Sequence, residues 1–120
     1  VQNQEFVVGG YTEPHGKRVG FGALLLGYYK DGRLMYAGKV GTGFDDETLM
    51  RLIKMFKPLE RATSPFAEPV KEKEVHWLEP RLVAEIGFEE WTDYDRLRQP
   101  RFKGLRYDKD PKSVIKEVPK

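Results

Sequence analysis

Six cations crowd fourteen residues near the end of the chain: Arg96, Arg98, Arg101, Lys103, Arg106 and Lys109 in the run RLRQPRFKGLRYDK, around the single acid Asp108. Guanidinium groups are planar, bidentate donors and an ammonium is a point charge, a combination suited to clustered phosphate oxygens. Asp108 can orient one of these cations and limit repulsion among its neighbours. The excess is local, because the whole chain carries 21 Lys and Arg against 19 Asp and Glu. Outside the run the balance is 15 basic to 18 acidic residues, which is net negative. A surplus confined to one segment points to an anionic partner there, while a solvated edge strand charged against aggregation carries the same residues. Residue types alone leave both readings open.

Other chemistries find little support. The chain has no cysteine, which excludes disulfides and thiolate metal sites, and His15 and His76 lack partners at a metal-ligand spacing. Gly16-Lys17 ends like a phosphate-cradling loop, but position 11 is Tyr rather than Gly and position 18 is Arg rather than Ser or Thr. Gly41-Thr42-Gly43 lacks the third glycine of a dinucleotide fingerprint, since position 46 is Asp. It predicts a sharp turn before a helix, with a backbone approach to phosphate as the alternative. Adjacent acids such as Asp45-Asp46 and Glu89-Glu90 point apart, so no carboxylate pair for glycoside chemistry is formed by neighbours. Ser64 and Ser113 have no histidine at an informative spacing. Tyr11, Phe21, Tyr28, Tyr29, Tyr36 and Phe44 could stack on bases, although core packing is the commoner use of such side chains.

The elements that must position the cations can be read from periodicity. A chain of 120 residues is one domain, 1–120, large enough for one core. Residues 6–12 (FVVGGYT) predict a first strand, closed by the Pro14 and Gly16 turn and a basic loop through Lys17 and Arg18. Residues 21–29 (FGALLLGYY) predict a second, centrally placed strand. Lys30-Asp31-Gly32-Arg33 predicts a tight hairpin, since both central residues of a type I′ turn need positive φ. Residues 34–40 return as the third strand. Asp45 is placed to cap a helix on which Leu49, Leu52, Ile53, Phe56 and Leu59 share a face and which Pro58 ends. Residues 61–74 read as an irregular surface connector, and 75–78 as a short extended piece. Residues 82–88 form the fourth strand, with Trp91 extending it, and 96–105 the fifth, interrupted by Pro100. One or two helical turns follow over 110–117. This order, five strands with one helix between the third and fourth, predicts a mainly β OB-fold, a Greek-key barrel. No run approaches the roughly 20 apolar residues of a membrane span. The chain opens on Val1 rather than methionine and enters structure at once, so it is expected to be a soluble, cytosolic piece of a longer protein.

The basic run is also familiar as a motif. Arg106-Tyr107-Asp108-Lys109 matches the ending Arg, any residue, Asp, Lys, and RQPRFKGLRYDK as a whole closely resembles nucleotidyltransferase motif VI of ATP-dependent DNA ligases. EFVVGGYTEP, GFGALLLGYY, YAGKVGTGF, PLERATSPF and VAEIGFEEWT resemble successive blocks of the ligase domain of bacterial ligase D, the end-joining ligase. The resemblance covers nearly the whole chain; Val70 to Glu74 and the tail beyond Pro111 match nothing in it.

The resemblance implies the C-terminal OB domain of such a ligase, acting in double-strand-break repair. In the family an adenylation domain precedes it and carries a Lys-any-Asp-Gly nucleophile. That pattern would need lysine at position 29, which is Tyr, so the chain by itself is expected to be inactive. By position, Arg106 and Lys109 would contact the β and γ phosphates of ATP, Asp108 would orient them, and Arg98 and Arg101 would be supporting cations. The implied cofactor is ATP, with Mg2+ in the full enzyme and none held tightly by this domain; no metal site is expected within the chain. After adenylation the domain would present another face to nicked duplex DNA, with Lys17, Arg18 and Lys39 as sequence-independent phosphate contacts. Implied partners are the adenylation domain, nicked DNA and end-joining partners such as Ku, for a monomer in the bacterial cytoplasm, associated with the nucleoid. The rival readings are a stand-alone OB-fold nucleic-acid-binding module and the matching domain of an mRNA capping enzyme. The blocks outside motif VI argue against the latter.

Overall fold

A computed structural model describes residues 1–117 of the chain. Its organising element is the first strand, β1 (Gln2–Thr12), which is long enough to pair along both edges. One edge takes β2 (Leu24–Lys30), and β2 turns back into β3 (Arg33–Val40). The β2–β3 turn has Asp31 at φ 53° and Gly32 at φ 75°, the two left-handed residues the Asp-Gly pair predicts. The other edge of β1 takes two consecutive segments, β5 (Val75–Leu78), the expected short extended piece, and β6 (Val83–Phe88), the expected fourth strand. A two-residue strand β4 (Glu60–Arg61) pairs with β5.

Trp91 does not extend β6. It lies in β7 (Glu90–Trp91), which forms a small hairpin with β8 (Leu97–Arg98). β8 and β9 (Arg101–Arg106) are the two halves of the expected fifth strand, separated at Pro100, whose missing N–H cannot continue a ladder. β9 pairs with β6, and the barrel closes where Phe102 N donates to Thr42 O at 3.0 Å and Thr42 Oγ1 donates to Pro100 O at 3.1 Å. Gly43, at φ 95°, makes this closure possible, because a Cβ there would lie 2.4 Å from Phe102 O. The OB-fold is therefore present, with its expected fifth strand in two pieces.

The helix α1 (Asp46–Phe56) sits between the third and fourth barrel strands, as predicted. Asp45 caps it, its Oδ1 accepting from Thr48 N at 2.8 Å, and Asp46 and Glu47 complement the helix dipole in the first turn. Leu49, Leu52 and Phe56 face inward, and Pro58 lies in a short 3₁₀ turn, Lys57–Leu59, that ends the helix. Phe56 stacks on Tyr11 with ring centroids 5.5 Å apart, so the helix plugs one end of the barrel. Phe6, Phe21, Leu24, Leu25, Leu26, Leu78 and Ile86 are fully enclosed.

Two connectors do more than the sequence suggests. The segment after β4 is irregular, but its Phe66 is buried, with the ring lying where a Cβ on Gly9 would fall, 2.5 Å away. The tail forms a 3₁₀ turn over Pro111–Ser113 and then straps back across the barrel. Val114 is buried, and its carbonyl accepts from Tyr29 N at 2.7 Å, just past the point where β1 stops pairing with β2. Gln4 Nε2 reaches Glu117 O at 2.9 Å, and Lys116 binds Asp95 at 2.6 Å while lying over the Trp91 ring.

Candidate functional site

The last residue of β9 is Arg106, and the chain bends back there so that Asp108 and Lys109 flank it. Arg106 Nε and Nη2 donate to the two oxygens of Asp108 at 3.2 and 3.3 Å. The guanidinium therefore meets its own motif's carboxylate side-on, as a bidentate pair. Its Nη1 reaches across the sheet to Glu5 Oε2 at 2.8 Å and Glu85 Oε1 at 3.3 Å. Lys109 Nζ lies 3.6 Å from the other oxygen of Glu5. The hydrogen bond and charge of Asp108, followed by Glu5, raise the Arg106 pKa, and the Arg106 hydrogen bond holds the Asp108 carboxyl below its usual range.

Arg106, Asp108 and Lys109 thus come together at the end of β9, and folding offsets the charge of the two cations among them. Two cations face three carboxylates, two of which come from strands far away in sequence. Glu5 and Glu85 are directly opposed across the β1–β6 ladder, and like charges so placed destabilise a sheet unless something lies between them. Arg106 lies between them. Sequence reasoning missed both glutamates. Their signal would have been alternation: each points out of a strand whose other face is core.

The remaining cations are elsewhere. Arg101 starts β9, five residues from Arg106 and so about 17 Å along the strand. Arg98 lies in β8 and pairs with Glu90 at 3.2 Å. Among the described residues Arg101 and Lys103 enter no ion pair. Arg96 lies over the Tyr36 ring at 4.7 Å and donates to Tyr36 O at 3.1 Å, tying the β7–β8 hairpin to β3.

The three residues expected to meet DNA behave differently from one another. Lys17 is exposed in the first loop. Arg18 is a structural tie: its Nε donates to Phe21 O at 2.8 Å and its Nη1 to Gly41 O at 2.9 Å, fastening that loop to the glycine turn. Its Nη2 is buried without a hydrogen-bond partner. Lys39 binds Glu72 at 2.9 Å. Arg18 and Lys39 line an open cleft of about 650 Å³, together with His15, Lys71, Lys73 and Glu74.

His76 is bracketed by acids, with Nε2 2.7 Å from Glu13 Oε2 and Nδ1 3.1 Å from Glu60 Oε1, and its ring stacks on Tyr11. Burial pushes the Glu60 carboxyl up, yet hydrogen bonds from Tyr11 and His76 outweigh it and hold the group low. Among the described residues no group of three imidazole or carboxylate side chains is arranged to hold a metal ion.

Fold and motif together define an OB-fold domain that ends its last barrel strand in an Arg-any-Asp-Lys cluster. Residues 17–109 match the family model for the C-terminal region of ATP-dependent DNA ligases. The chain is 42% identical over 118 residues to the multifunctional non-homologous end joining DNA repair protein LigD of Mycobacterium tuberculosis, covering 95% of this chain and 16% of that protein. It is 43% identical over 122 residues to LigD of Pseudomonas aeruginosa, covering 97% of this chain and 14% of that protein. A DNA ligase of Methanoculleus marisnigri is 40% identical over 116 residues, 91% of this chain and 20% of that protein. Among solved structures, the ligase domain of M. tuberculosis LigD superposes with a TM-score of 0.91 at 41% identity, covering 97% of this chain and 39% of that one. A mycobacterial DNA ligase D complexed with ATP and MES gives a TM-score of 0.87 at 40% identity, covering 97% and 38%. The chain belongs to the family of C-terminal domains of ATP-dependent DNA ligases, and it resembles the ligase D members most fully along its length. It spans about a sixth of the LigD proteins it matches.

Proposed function

We propose that this domain serves an end-joining DNA ligase by closing over ATP held in an adenylation domain and then engaging nicked duplex DNA. The observation that carries the reading is the convergence of Arg106, Asp108 and Lys109 at the end of β9, in a chain 40% identical to a ligase D that binds ATP. A guanidinium and an ammonium fit the β and γ phosphate oxygens, and Asp108 keeps the guanidinium plane oriented. ATP supplies the adenylyl group and a pyrophosphate leaving group. Arg106 and Lys109 orient that leaving group in line and offset the charge it gains as the bond breaks. Arg98 in β8 and Arg101 at the start of β9 act as supporting cations for the approach of the domain rather than as contacts to the same oxygens.

A magnesium ion does not fit a site made by these side chains alone, so its ligands would come from the nucleotide and the adenylation domain. The nucleophilic lysine also lies outside this chain: Lys30-Asp31-Gly32 is the β2–β3 turn. For DNA, the exposed Lys17 and Lys39 serve as phosphate contacts, with Lys71 and Lys73 joining Lys39 around its cleft.

The test mixes this domain with a separately produced adenylation domain and ATP, and follows lysyl-AMP formation. Stimulation is expected, falling about a hundredfold for Lys109→Ala and for Arg106→Lys, the scale of losing one preorganised donor. A domain that binds nicked DNA but gives no stimulation would be a binding module instead. DNA binding by the domain alone is expected to be weak and to fall steeply with salt.

A further inference from the structure

Glu5 makes the same pair of contacts that a bound phosphate would need. Its Oε2 lies 2.8 Å from Arg106 Nη1 and its Oε1 3.6 Å from Lys109 Nζ, so one carboxylate bridges both motif cations with one oxygen each. Arg106 has five N–H donors, of which Asp108 and Glu85 hydrogen-bond three, while Glu5 holds Nη1 in a 2.8 Å ion pair. Asp108 takes the Nε–Nη2 edge while these bonds stand, and Glu5 competes with phosphate for Nη1. Glu5 is also the least exposed of the group, at 21% against 38% for Arg106 and 34% for Lys109, so it is the member fixed in the sheet rather than the one free to swing.

We propose that Glu5 is a specificity-determining residue that occupies the phosphate grip in the resting domain and must be exchanged for phosphate oxygens when the domain closes. This rests on the assignment of Arg106 and Lys109 as phosphate contacts. Two cations under three carboxylates present a net negative cluster to solution, so free pyrophosphate or free nucleotide is repelled as much as it is drawn. When Arg106 leaves, Glu5 and Glu85 face each other across β1 and β6 with nothing between them. That penalty returns Arg106 to its resting partners once pyrophosphate departs. The grip therefore engages a triphosphate only where a partner domain presents it, and releases the product afterwards.

The experiment titrates this chain with sodium tripolyphosphate at low ionic strength, by calorimetry and by amide chemical shifts over 104–109. Glu5→Gln preserves the shape of the side chain and removes its charge. Its affinity for tripolyphosphate is expected to rise roughly five- to tenfold over wild type, the scale of two partly exposed ion pairs. Glu85→Gln, which frees one contact at 3.3 Å, should give a smaller gain. Adding Lys109→Ala to Glu5→Gln should erase the gain, and an unchanged thermal midpoint for Glu5→Gln separates charge from misfolding. Equal affinity, weaker affinity, or no binding by either protein overturns the proposal. If Glu5→Gln shows no gain while Lys109→Ala still abolishes stimulation of lysyl-AMP formation, only the role of Glu5 falls. If Lys109→Ala leaves stimulation intact, the phosphate assignment itself falls.

Discussion

Gly43→Ala tests the closure on which the position of β9 depends. Gly43 has φ 95°, and a Cβ there would lie 2.4 Å from Phe102 O and 2.8 Å from Phe102 N, both backbone atoms of β9. An L residue held at positive φ costs about 1–2 kcal/mol. Backbone cannot rotate aside as a side chain would, so β9 must shift by over half an ångström, which sacrifices the 3.0 Å bond from Phe102 N to Thr42 O. That bond is worth about 1 kcal/mol. The sum is about 2–3 kcal/mol, or a fall of about 8–12 °C in the thermal midpoint of a domain this size. Circular dichroism melting reads it directly. Gly41→Ala is the internal control, since its Cβ would meet nothing nearer than Gly22 O at 3.3 Å and its φ lies outside the left-handed region. It should cost less than about 1 kcal/mol. Equal midpoints for the two variants, or a fall under about 2 °C for Gly43→Ala, would refute the closure reasoning and reopen the reading of this turn as a phosphate cradle.

Val114→Ala is expected to destabilise the domain by about 2–3 kcal/mol, through lost burial and the small cavity left under the strap. Ile115→Ala, at an exposed neighbour, should change stability by less than about 0.5 kcal/mol, and urea unfolding of both compares them. A pH series follows from Asp95, Asp108 and Glu60, whose pKa values are all lowered on folding: Lys116 acts on Asp95, Arg106 on Asp108, and Tyr11 and His76 prevail over burial at Glu60. Each adds stability that is complete above its unfolded value and is lost as pH falls through the folded one. The urea midpoint should thus be flat from about pH 7 to 5 and decline below about pH 4, with Lys116→Met reducing the slope. A decline already under way between pH 7 and 5 would contradict these assignments.

Where local chemistry acts within a few residues, the sequence predicts the structure closely. Asp45 caps α1, Asp31 and Gly32 take the left-handed turn, Pro58 ends the helix and Pro100 breaks the last strand, because each effect is complete within one turn of backbone. Phe66 and Val114 were not legible as core, since a single apolar residue in a polar connector has no period to reveal it. The structural tie made by Arg18 was not legible either, because its residue type is visible in the sequence and the carbonyls of Phe21 and Gly41 that it bonds are not.

Sequence by itself determined the OB order of elements and the presence of the Arg106, Asp108 and Lys109 motif. Only the tertiary structure decided what that motif faces. β1 and β6 bring Glu5 and Glu85 opposite each other from eighty residues apart, and β9 lays Arg106 against both. Counting charge along the chain gives a cationic patch, whereas pairing strands across it sets carboxylates against Arg106 and Lys109. Coulomb attraction depends on distance in space, and only strand register sets that distance.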